Sequence, residues 1–215
     1  MRLVVLGPQG AGKGTYSTLL SMKLGIPSIS TGDMFRDEIM RKTALGKKIE
    51  GFLKRGALVP DAVAVSVIRR RLGRKDCARG FILDGFPRTL NQAKELERIV
   101  APSKVLYFNA SHRVVIERLQ SRLVCAKCKA IFNIRSNPPK QKDSCDNCGS
   151  VLQRRQDESD AAIRARLEAY RKETLPLIGY YKKKGMLAEI DANRPFEKVN
   201  EIIGDSLRAL EAAAQ

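Results

Sequence analysis

The sequence predicts an α/β fold in which a five-stranded parallel sheet is flanked by helices on both faces. Short apolar runs rich in Val, Ile, Leu and Phe alternate with segments of helical periodicity, as in successive strand–helix–strand units. A glycine-rich turn follows the first apolar run directly, and residues 196–210 keep the three-and-four spacing of an amphipathic helix. At 215 residues the chain is long enough for one such domain with insertions, or for two small domains.

The predicted strands are short runs of consecutive apolar residues, which are typical of a sheet buried on both faces. They lie at residues 1–6, 26–29, 80–85, 104–108 and 186–190. Gly25 is predicted to end the first helix at Leu24, and a turn at residues 43–46 separates two short helical segments. The predicted helices after the first are 33–42, 44–55, 61–72, 86–100, 114–123 and 196–210.

Residues 7–15, Gly-Pro-Gln-Gly-Ala-Gly-Lys-Gly-Thr, have the composition of a phosphate-binding P-loop. Glycines let the backbone turn tightly and point its N–H groups at phosphate oxygens. Lys13 can reach the terminal phosphates, and the helix that opens near Gly12 presents the positive end of its dipole to them. A glycine-rich turn without a ligand is the alternative, but strand, glycines, Lys13 and Thr15 follow in the order that a P-loop requires.

Asp84 and His112 bear on the chemistry of such a site. Asp84 ends the apolar run 80–85, where P-loop proteins carry the carboxylate that serves the magnesium ion directly or through water. His112 is the single histidine, and it stands at the start of a helical segment with no nucleophile nearby. We therefore interpret His112 as a surface or cap residue. Phosphoryl transfer needs no histidine, because it depends on alignment and on cations around the phosphates.

The composition limits the class of protein and its partners. Hydrophobic residues make up 43% of the chain, and no apolar run approaches the roughly 20 residues of a membrane span. The first residues resemble a strand and not a secretion signal, so we expect a soluble cytoplasmic protein. Forty Lys and Arg against 23 Asp and Glu give a net charge of +17. This charge favours anionic partners, namely nucleotides, nucleic acid or a membrane surface.

Four of the five cysteines form two C-x-x-C pairs, Cys125 with Cys128 and Cys145 with Cys148. Their spacing falls in the range of zinc ribbons. Four thiolates complete a tetrahedral site and leave no position for water, so the predicted zinc is structural. A pair of disulfides and an iron site are the alternatives. Cys77 has no visible partner in the sequence and is interpreted as a spare thiol.

The cysteine segment has two possible roles, as a lid inserted in the core or as a nucleic-acid-binding ribbon. Phe132 is its one aromatic residue, which is few for base stacking. Arginines stand on both sides of it, Arg118 and Arg122 before and Arg154 and Arg155 after. We therefore favour the lid.

Several motifs together resemble the adenylate kinase family, in the long form whose lid holds a metal. They are residues 7–15, 31–36, 83–88, 155–158 and 164–166 and the four cysteines, so the resemblance covers the whole chain. It implies a P-loop kinase core of residues 1–29, 60–121 and 159–215. It also implies an insertion at 30–59 that binds the nucleoside monophosphate (NMP), and a zinc-bearing lid at 122–158.

The resemblance also implies the roles of individual residues. The ATP site comprises Gly10, Ala11, Gly12, Lys13, Gly14, Thr15, Arg118, Arg122, Ile131, Phe132 and Arg194. The AMP site comprises Thr31, Arg36, Ala57, Leu58, Val59, Gly85, Phe86, Pro87, Arg88, Gln92, Arg155 and Arg166. The catalytic set is Lys13, Asp84, Arg88, Arg122, Arg155 and Arg166.

The chemistry of these side chains agrees with the implied roles. Guanidinium groups are permanently charged and have forked donors that suit phosphate oxygens. The Gln92 amide both donates and accepts, which suits the N1 and N6 edge of adenine. Related uridylate and cytidylate kinases tend to have asparagine at this position, so Gln92 and Thr31 favour AMP. Departures from the common family residues are Gln9, Asn91, Glu158 and Ala192.

We therefore predict a monomer that catalyses ATP + AMP ⇌ 2 ADP with Mg²⁺ and carries structural Zn²⁺. Its partners would be the small molecules ATP, AMP and ADP, with no obligate nucleic acid and no membrane. One alternative is a related kinase for another nucleoside monophosphate. A second alternative is a zinc-ribbon nucleic-acid-binding protein that uses ATP as a switch, which would bind DNA or RNA with strong salt dependence.

Overall fold

The structure is a computed structural model that describes residues 1–155 and 158–212. Gln156 and Asp157, which belong to the 155–158 motif, lie outside the described residues. The strands are β1 Arg2–Leu6, β2 Ser28–Ser30, β3 Phe81–Asp84, β4 Lys104–Asn109, β5 Arg122–Cys125, β6 Ile131–Asn133, β7 Leu152–Gln153 and β8 Leu187–Asp191. The helices are α1 Lys13–Leu24, α2 Thr31–Met40, α3 Ala44–Lys54, α4 Asp61–Leu72, α5 Leu90–Ile99, α6 His112–Gln120, α7 Asp160–Ala169, α8 Pro176–Lys183 and α9 Val199–Glu211.

The predicted parallel sheet is confirmed. Its five strands lie in the order β2-β3-β1-β4-β8, and all neighbours are parallel. Successive side chains of a strand point to opposite faces, so each strand contributes to two apolar layers. On one face Val4, Leu83 and Val105 pack under α4, α5 and α8, and on the other Val5 and Leu106 pack under α1, α6 and α9.

A second, antiparallel sheet is formed by β6, β5 and β7 in that order. It carries the four paired cysteines and its own small apolar cluster. The carboxyl ends of β1, β3 and β4 meet at one edge of the parallel sheet, because parallel strands all end at the same side. In the described part of the chain, no helix has the length and apolar content of a bilayer span.

Several predicted boundaries were wrong. The helix predicted from residue 86 begins at Leu90, because the Thr89 hydroxyl caps it by accepting the Gln92 N–H. The helix predicted over 114–123 is α6, which ends at Gln120 and is followed by β5. The turn predicted at 43–46 lies at Arg41 and Lys42 instead, since Thr43 already caps α3.

Three further regions differ from the predictions. Residues 196–198 form a 3-10 turn before α9, and the sequence did not predict α7 or α8. His112 is exposed at the start of α6, as expected of a surface residue. Cys77 is buried and does have a contact, because the Arg71 guanidinium lies 3.0 Å from its Sγ.

Candidate active site

One cleft at the carboxyl edge of the sheet brings together nearly all the predicted site residues. It is lined by the glycine-rich loop after β1, the end of β3, the α2–α3 arm, α7 and the antiparallel sheet. Of the residues predicted for the catalytic and nucleotide sites, two do not line it, Ala11 and Arg194. The four cysteines predicted as metal ligands lie outside it as well. Ala11 is fully buried in the core. The Arg194 guanidinium is directed at Asp205, with Asp191 and Glu201 each 3.9 Å away.

The glycine-rich loop is folded as the P-loop interpretation requires. Gly7, Gly10 and Gly12 have φ values of 145°, 87° and 92°, which L side chains rarely adopt. A Cβ on Gly7 would lie 2.5 Å from the Phe108 carbonyl oxygen, so the loop passes directly over β4. Gly12 is the residue just before α1, and in the described part of the chain no side chain at this capping position hydrogen-bonds to the start of the helix. The first N–H groups of α1 are therefore available to an anion in the cleft.

Lys13 and Asp84 form the charged floor of the cleft. The Lys13 ammonium donates to the carbonyl oxygens of Gly7 and Pro8, each at 2.7 Å. Burial lowers the pKa of Lys13 to about 8, with Asp84 opposing the shift and Arg88 and Arg122 adding to it. Burial likewise raises the pKa of Asp84, and Lys13 opposes that shift. Both side chains are thus removed from water, and a bound phosphate would raise the pKa of Lys13 again, because an anion favours the charged ammonium.

Arginines surround the rest of the cleft. Those that line it are Arg36, Arg88, Arg118, Arg122, Arg155 and Arg166. Burial, with repulsion from Arg122 and Arg36, lowers the pKa of Arg155 to about 10. Arg155 Nε is buried and has no hydrogen-bond partner among the described residues. Glu158 and Asp33 offset part of this repulsion, and an anion bound in the cleft would offset more of it.

Several of these arginines are held in place by protein groups. Arg122 pairs with Glu158, whose side chain is only 4% exposed. Arg88 Nε donates to the Gly85 carbonyl at 2.8 Å. Arg118 donates to the carbonyl oxygens of Ala11, Ala192 and Arg194, at 3.3, 2.9 and 2.8 Å. Each guanidinium is therefore oriented before any ligand arrives.

The α2–α3 arm closes the cleft on the side of Gln92. Gly85 has a φ of 81°, and a Cβ there would lie 2.7 Å from the Thr31 hydroxyl. Gln92 is 2% exposed, and its Oε1 accepts the Arg88 N–H at 2.8 Å. Its Nε2 donates to Asp61 at 2.7 Å. Asp61 at the start of α4 was not predicted as a site residue, since it lies 31 residues from Gln92 in the chain.

The antiparallel sheet lines another side of the cleft and contains the four paired cysteines. Ile131 of β6 reaches to 3.5 Å from the position of a Cβ on Gly14. The Lys129 ammonium lies 3.0 Å from the Asp37 carboxylate of α2. The two groups form an ion pair, but their angles do not meet the criteria of a hydrogen bond. The antiparallel sheet and its adjoining turn therefore lie close to both the P-loop and the α2–α3 arm.

The four cysteines form a group suited to one metal ion. The Sγ atoms of Cys125, Cys128, Cys145 and Cys148 all lie within 4.8 Å of one another. Two pairs are separated by 3.5 and 3.4 Å, whereas a disulfide requires about 2.05 Å. Zn–S bonds of about 2.3 Å place thiolates about 3.8 Å apart in a tetrahedron. The separations thus fit four ligands of a single ion, and all the cysteines are free thiols.

The cleft also has residues that the sequence did not single out. They are chiefly Tyr16, Asp33, Asn133, Ser136, Asn137, Tyr170, Thr174, Phe196 and Val199. The Thr174 hydroxyl, in the turn that follows α7, donates to the Arg88 carbonyl at 2.9 Å and so helps to hold the backbone of that arginine in place. Of the noted departures, Glu158 has Arg122 as its partner, and Asn91 donates to Asp61 at 2.9 Å.

The parallel sheet, the glycine-rich loop with Lys13 and the antiparallel sheet beside a cationic cleft define a protein of the P-loop kinase fold. Comparison with known proteins narrows this class. A family model described as adenylate kinase matches residues 5–186. The chain therefore belongs to the adenylate kinase family.

Curated relatives agree over nearly the full chain. The adenylate kinase of Thermosipho melanesiensis is 45% identical over 204 residues, which is 93% of this chain and 95% of the relative. That of Moorella thermoacetica is 43% identical and covers 96% of this chain and 98% of its own length. The adenylate kinase of Methanocella arvoryzae is 40% identical over 215 residues, which is 98% of this chain and 100% of the relative.

Proposed function

We propose that this protein transfers the terminal phosphoryl group of ATP to AMP and forms two molecules of ADP. The observation that carries the proposal is the cleft itself. The P-loop and Gln92 both line it, with six arginines among its other lining residues. Two nucleotides that meet phosphate to phosphate bring several negative charges to one place, and these arginines would offset them. The names of the relatives support the same substrates.

The positions of the side chains support the proposed catalytic roles. Lys13 and the N–H groups of the P-loop would hold the ATP phosphates, and Arg36 and Arg88 the AMP phosphate. Arg122, Arg155 and Arg166 would bind the transferring group from the opposite side of the cleft. The attacking oxygen belongs to a phosphate that is already ionised at neutral pH, so no protein base is needed. Rate acceleration would come from alignment and from fixed positive charge.

Mg²⁺ and Zn²⁺ are assigned to different parts of the molecule. Mg²⁺ would arrive with ATP and neutralise phosphate charge, and Asp84 and Thr15 have the oxygen ligands that it prefers. The Asp84 carboxylate lies 3.7 Å from the Cβ position of Gly14, next to Thr15. Zn²⁺ would be held by the four cysteines, and its saturated site gives it a structural role.

The proposed organisation is a core of residues 1–29, 60–121 and 159–215, an NMP-binding insertion at 30–59 and a lid at 122–158. The lid would exclude water, which would otherwise accept the phosphoryl group. We propose that the protein works as a monomer and does not need nucleic acid.

The decisive experiment measures ADP formation from MgATP with AMP, CMP, UMP or GMP as acceptor. We expect the largest kcat/KM with AMP. Lys13→Ala should lower kcat by about 10²–10³-fold, the range for loss of one electrostatic group in a catalytic site. Arg88→Ala should raise the KM for AMP more than that for ATP. Arg98→Ala, on an exposed side chain of α5, is the matched control.

Two results would contradict the proposal. Preference for a pyrimidine acceptor would indicate the related-kinase alternative. Near-normal activity of Lys13→Ala would refute the phosphate-binding role of the P-loop. Zinc and iron are distinguished by metal analysis of the purified protein.

A further inference from the structure

We propose that Asp61 is a specificity-determining residue that fixes the orientation of the Gln92 amide. The inference rests on the proposed function, because it concerns how the AMP base is chosen. Asp61 does not line the cleft, so it would act through Gln92 as a positioning residue. The consequence is discrimination between purines that present opposite patterns of donor and acceptor to the same pocket.

The hydrogen bonds of the Gln92 amide allow one orientation. The Arg88 N–H is a donor, so the atom 2.8 Å from it must be the amide oxygen. The Asp61 carboxylate only accepts when ionised, so the atom 2.7 Å from it must be the amide nitrogen. If the amide rotated by 180°, its NH₂ group would face the Arg88 N–H and its oxygen would face the Asp61 carboxylate. Both contacts would then be repulsive in a buried setting.

Asp61 and Arg88 are themselves held in place. The Asp61 carboxylate also accepts from the Thr89 hydroxyl and the Asn91 amide, each at 2.9 Å. It stands in the first turn of α4, where a helix favours negative charge. Arg88 is fixed from two directions, since its Nε donates to Gly85 and its carbonyl accepts from Thr174. The groups on either side of the Gln92 amide therefore cannot readily adjust to a rotated amide.

A fixed amide distinguishes adenine from hypoxanthine. After its protein contacts, Gln92 retains one N–H and one oxygen lone pair. Adenine offers an acceptor at N1 and a donor, its amino group, at the 6-position. The hypoxanthine of IMP has the opposite pattern, with a donor at N1 and an acceptor, its carbonyl oxygen, at the 6-position. IMP has nearly the same shape as AMP, so pocket size does not separate them. An amide that could rotate would match either base, and a fixed one matches only one.

The test compares kcat/KM for AMP and IMP, with MgATP as the phosphoryl donor. We expect the wild-type protein to favour AMP and Asp61→Asn to lower the AMP-to-IMP ratio at least tenfold. The asparagine amide can present either its oxygen or its nitrogen to Gln92, so the rotated orientation is no longer opposed at that end. Asp76→Asn is the matched control, because Asp76 pairs with Arg71 outside the cleft, and its ratio should stay within twofold of wild type.

A double-mutant cycle tests whether Asp61 acts through Gln92. In a Gln92→Ala background, Asp61→Asn should leave the AMP-to-IMP ratio unchanged. If Asp61→Asn does not fold, as judged by its melting curve, Asp61→Ser replaces it, because serine is also favoured near a helix start.

The outcomes separate the two proposals. If the wild-type protein makes no ADP from AMP, the proposed function fails. If it does so but Asp61→Asn lowers kcat/KM for AMP and IMP equally, Asp61 is merely structural and the inference is overturned. An effect of the same size in the Gln92→Ala background would also overturn it.

Discussion

The core and the proposed lid of this protein differ in how much apolar surface they bury. In the core, alternate residues of β1, β3 and β4 enter two large apolar clusters on the two faces of the sheet. In the lid, the buried cluster consists of Leu123, Cys125, Phe132, Cys145 and Leu152. Two of those five are cysteines whose Sγ atoms belong to the four-thiol group. Apolar burial therefore dominates in the core, and the proposed zinc ligation would supply much of the stability of the proposed lid.

This difference suits the proposed division of labour. A core with a large apolar interior holds the P-loop, Asp84 and Arg88 at fixed positions, as phosphoryl transfer requires. A lid with few buried contacts can open at low free-energy cost while the core stays folded. Metal ligation would keep the lid folded as a unit during that motion. The predictions below test this contrast, in order of decreasing effect.

The largest effect should come from truncating the core. Phe108 is fully buried and its ring lies 4.7 Å from that of Tyr16. Phe108→Ala should lower the free energy of unfolding by about 3–5 kcal/mol, through lost burial and a cavity. Phe132→Ala, in the lid, should cost less than half as much in the global transition, because the lid can unfold on its own. Urea denaturation of both variants checks this, and equal losses would refute separate stabilisation.

An intermediate effect is expected from removal of the metal. Replacing Cys125 and Cys128 with Ser should remove about one zinc ion per chain, since both thiolates of one knuckle are lost. The melting temperature should fall, and a substantial part of the kinase activity should survive at moderate temperature. Much less should be lost than the roughly 10–16 kcal/mol of isolated zinc-finger peptides, because the core folds without the lid.

The control for the metal experiment is Cys77→Ser, which alters a buried thiol of the core and should leave the zinc content unchanged. Metal content, melting curve and activity should be measured on the same preparation. Zinc absent from the unmutated protein would contradict the structural-zinc proposal. Loss of all activity in a folded variant that still closes its lid would instead indicate a catalytic role for the metal.

The smallest effect concerns the contact between the lid and the α2–α3 arm. Lys129 and Asp37 are 39% and 46% exposed, and such ion pairs contribute at most about 1 kcal/mol. Lys129→Ala should therefore raise the KM for AMP by no more than about fivefold, with little change in melting temperature. The difference from wild type should shrink in about 1 M salt, because exposed charges are then screened.

The matched control for this prediction is Lys127→Ala. Lys127 is exposed in the same knuckle, and no ion pair of the described residues includes it. An effect of Lys127→Ala as large as that of Lys129→Ala would show that overall lid charge matters and not the specific pair with Asp37.

Local rules explain why so much of this molecule could be predicted. Strand β1, the P-loop and the end of α1 at Gly25 depend on neighbouring residues, and all were predicted from the sequence. Helices α7 and α8 were missed because a five-residue π-helical turn, Tyr170–Thr174, interrupts the helical period between them. The start of α5 was predicted too early, at residue 86, because the cap at Thr89 sets the first residue of the helix at Leu90.

The sequence by itself determined the parallel α/β class, the phosphate-binding loop and the pairing of the cysteines into two knuckles, because each depends on composition and spacing along a short segment. Only the tertiary structure decided which charged side chains face the cleft. It turns Arg194 toward Asp205, brings Glu158 to Arg122 and places Asp61 against Gln92. These contacts join residues 11, 36 and 31 positions apart. Their geometry depends on how separate helices, strands and loops pack, which no local pattern records.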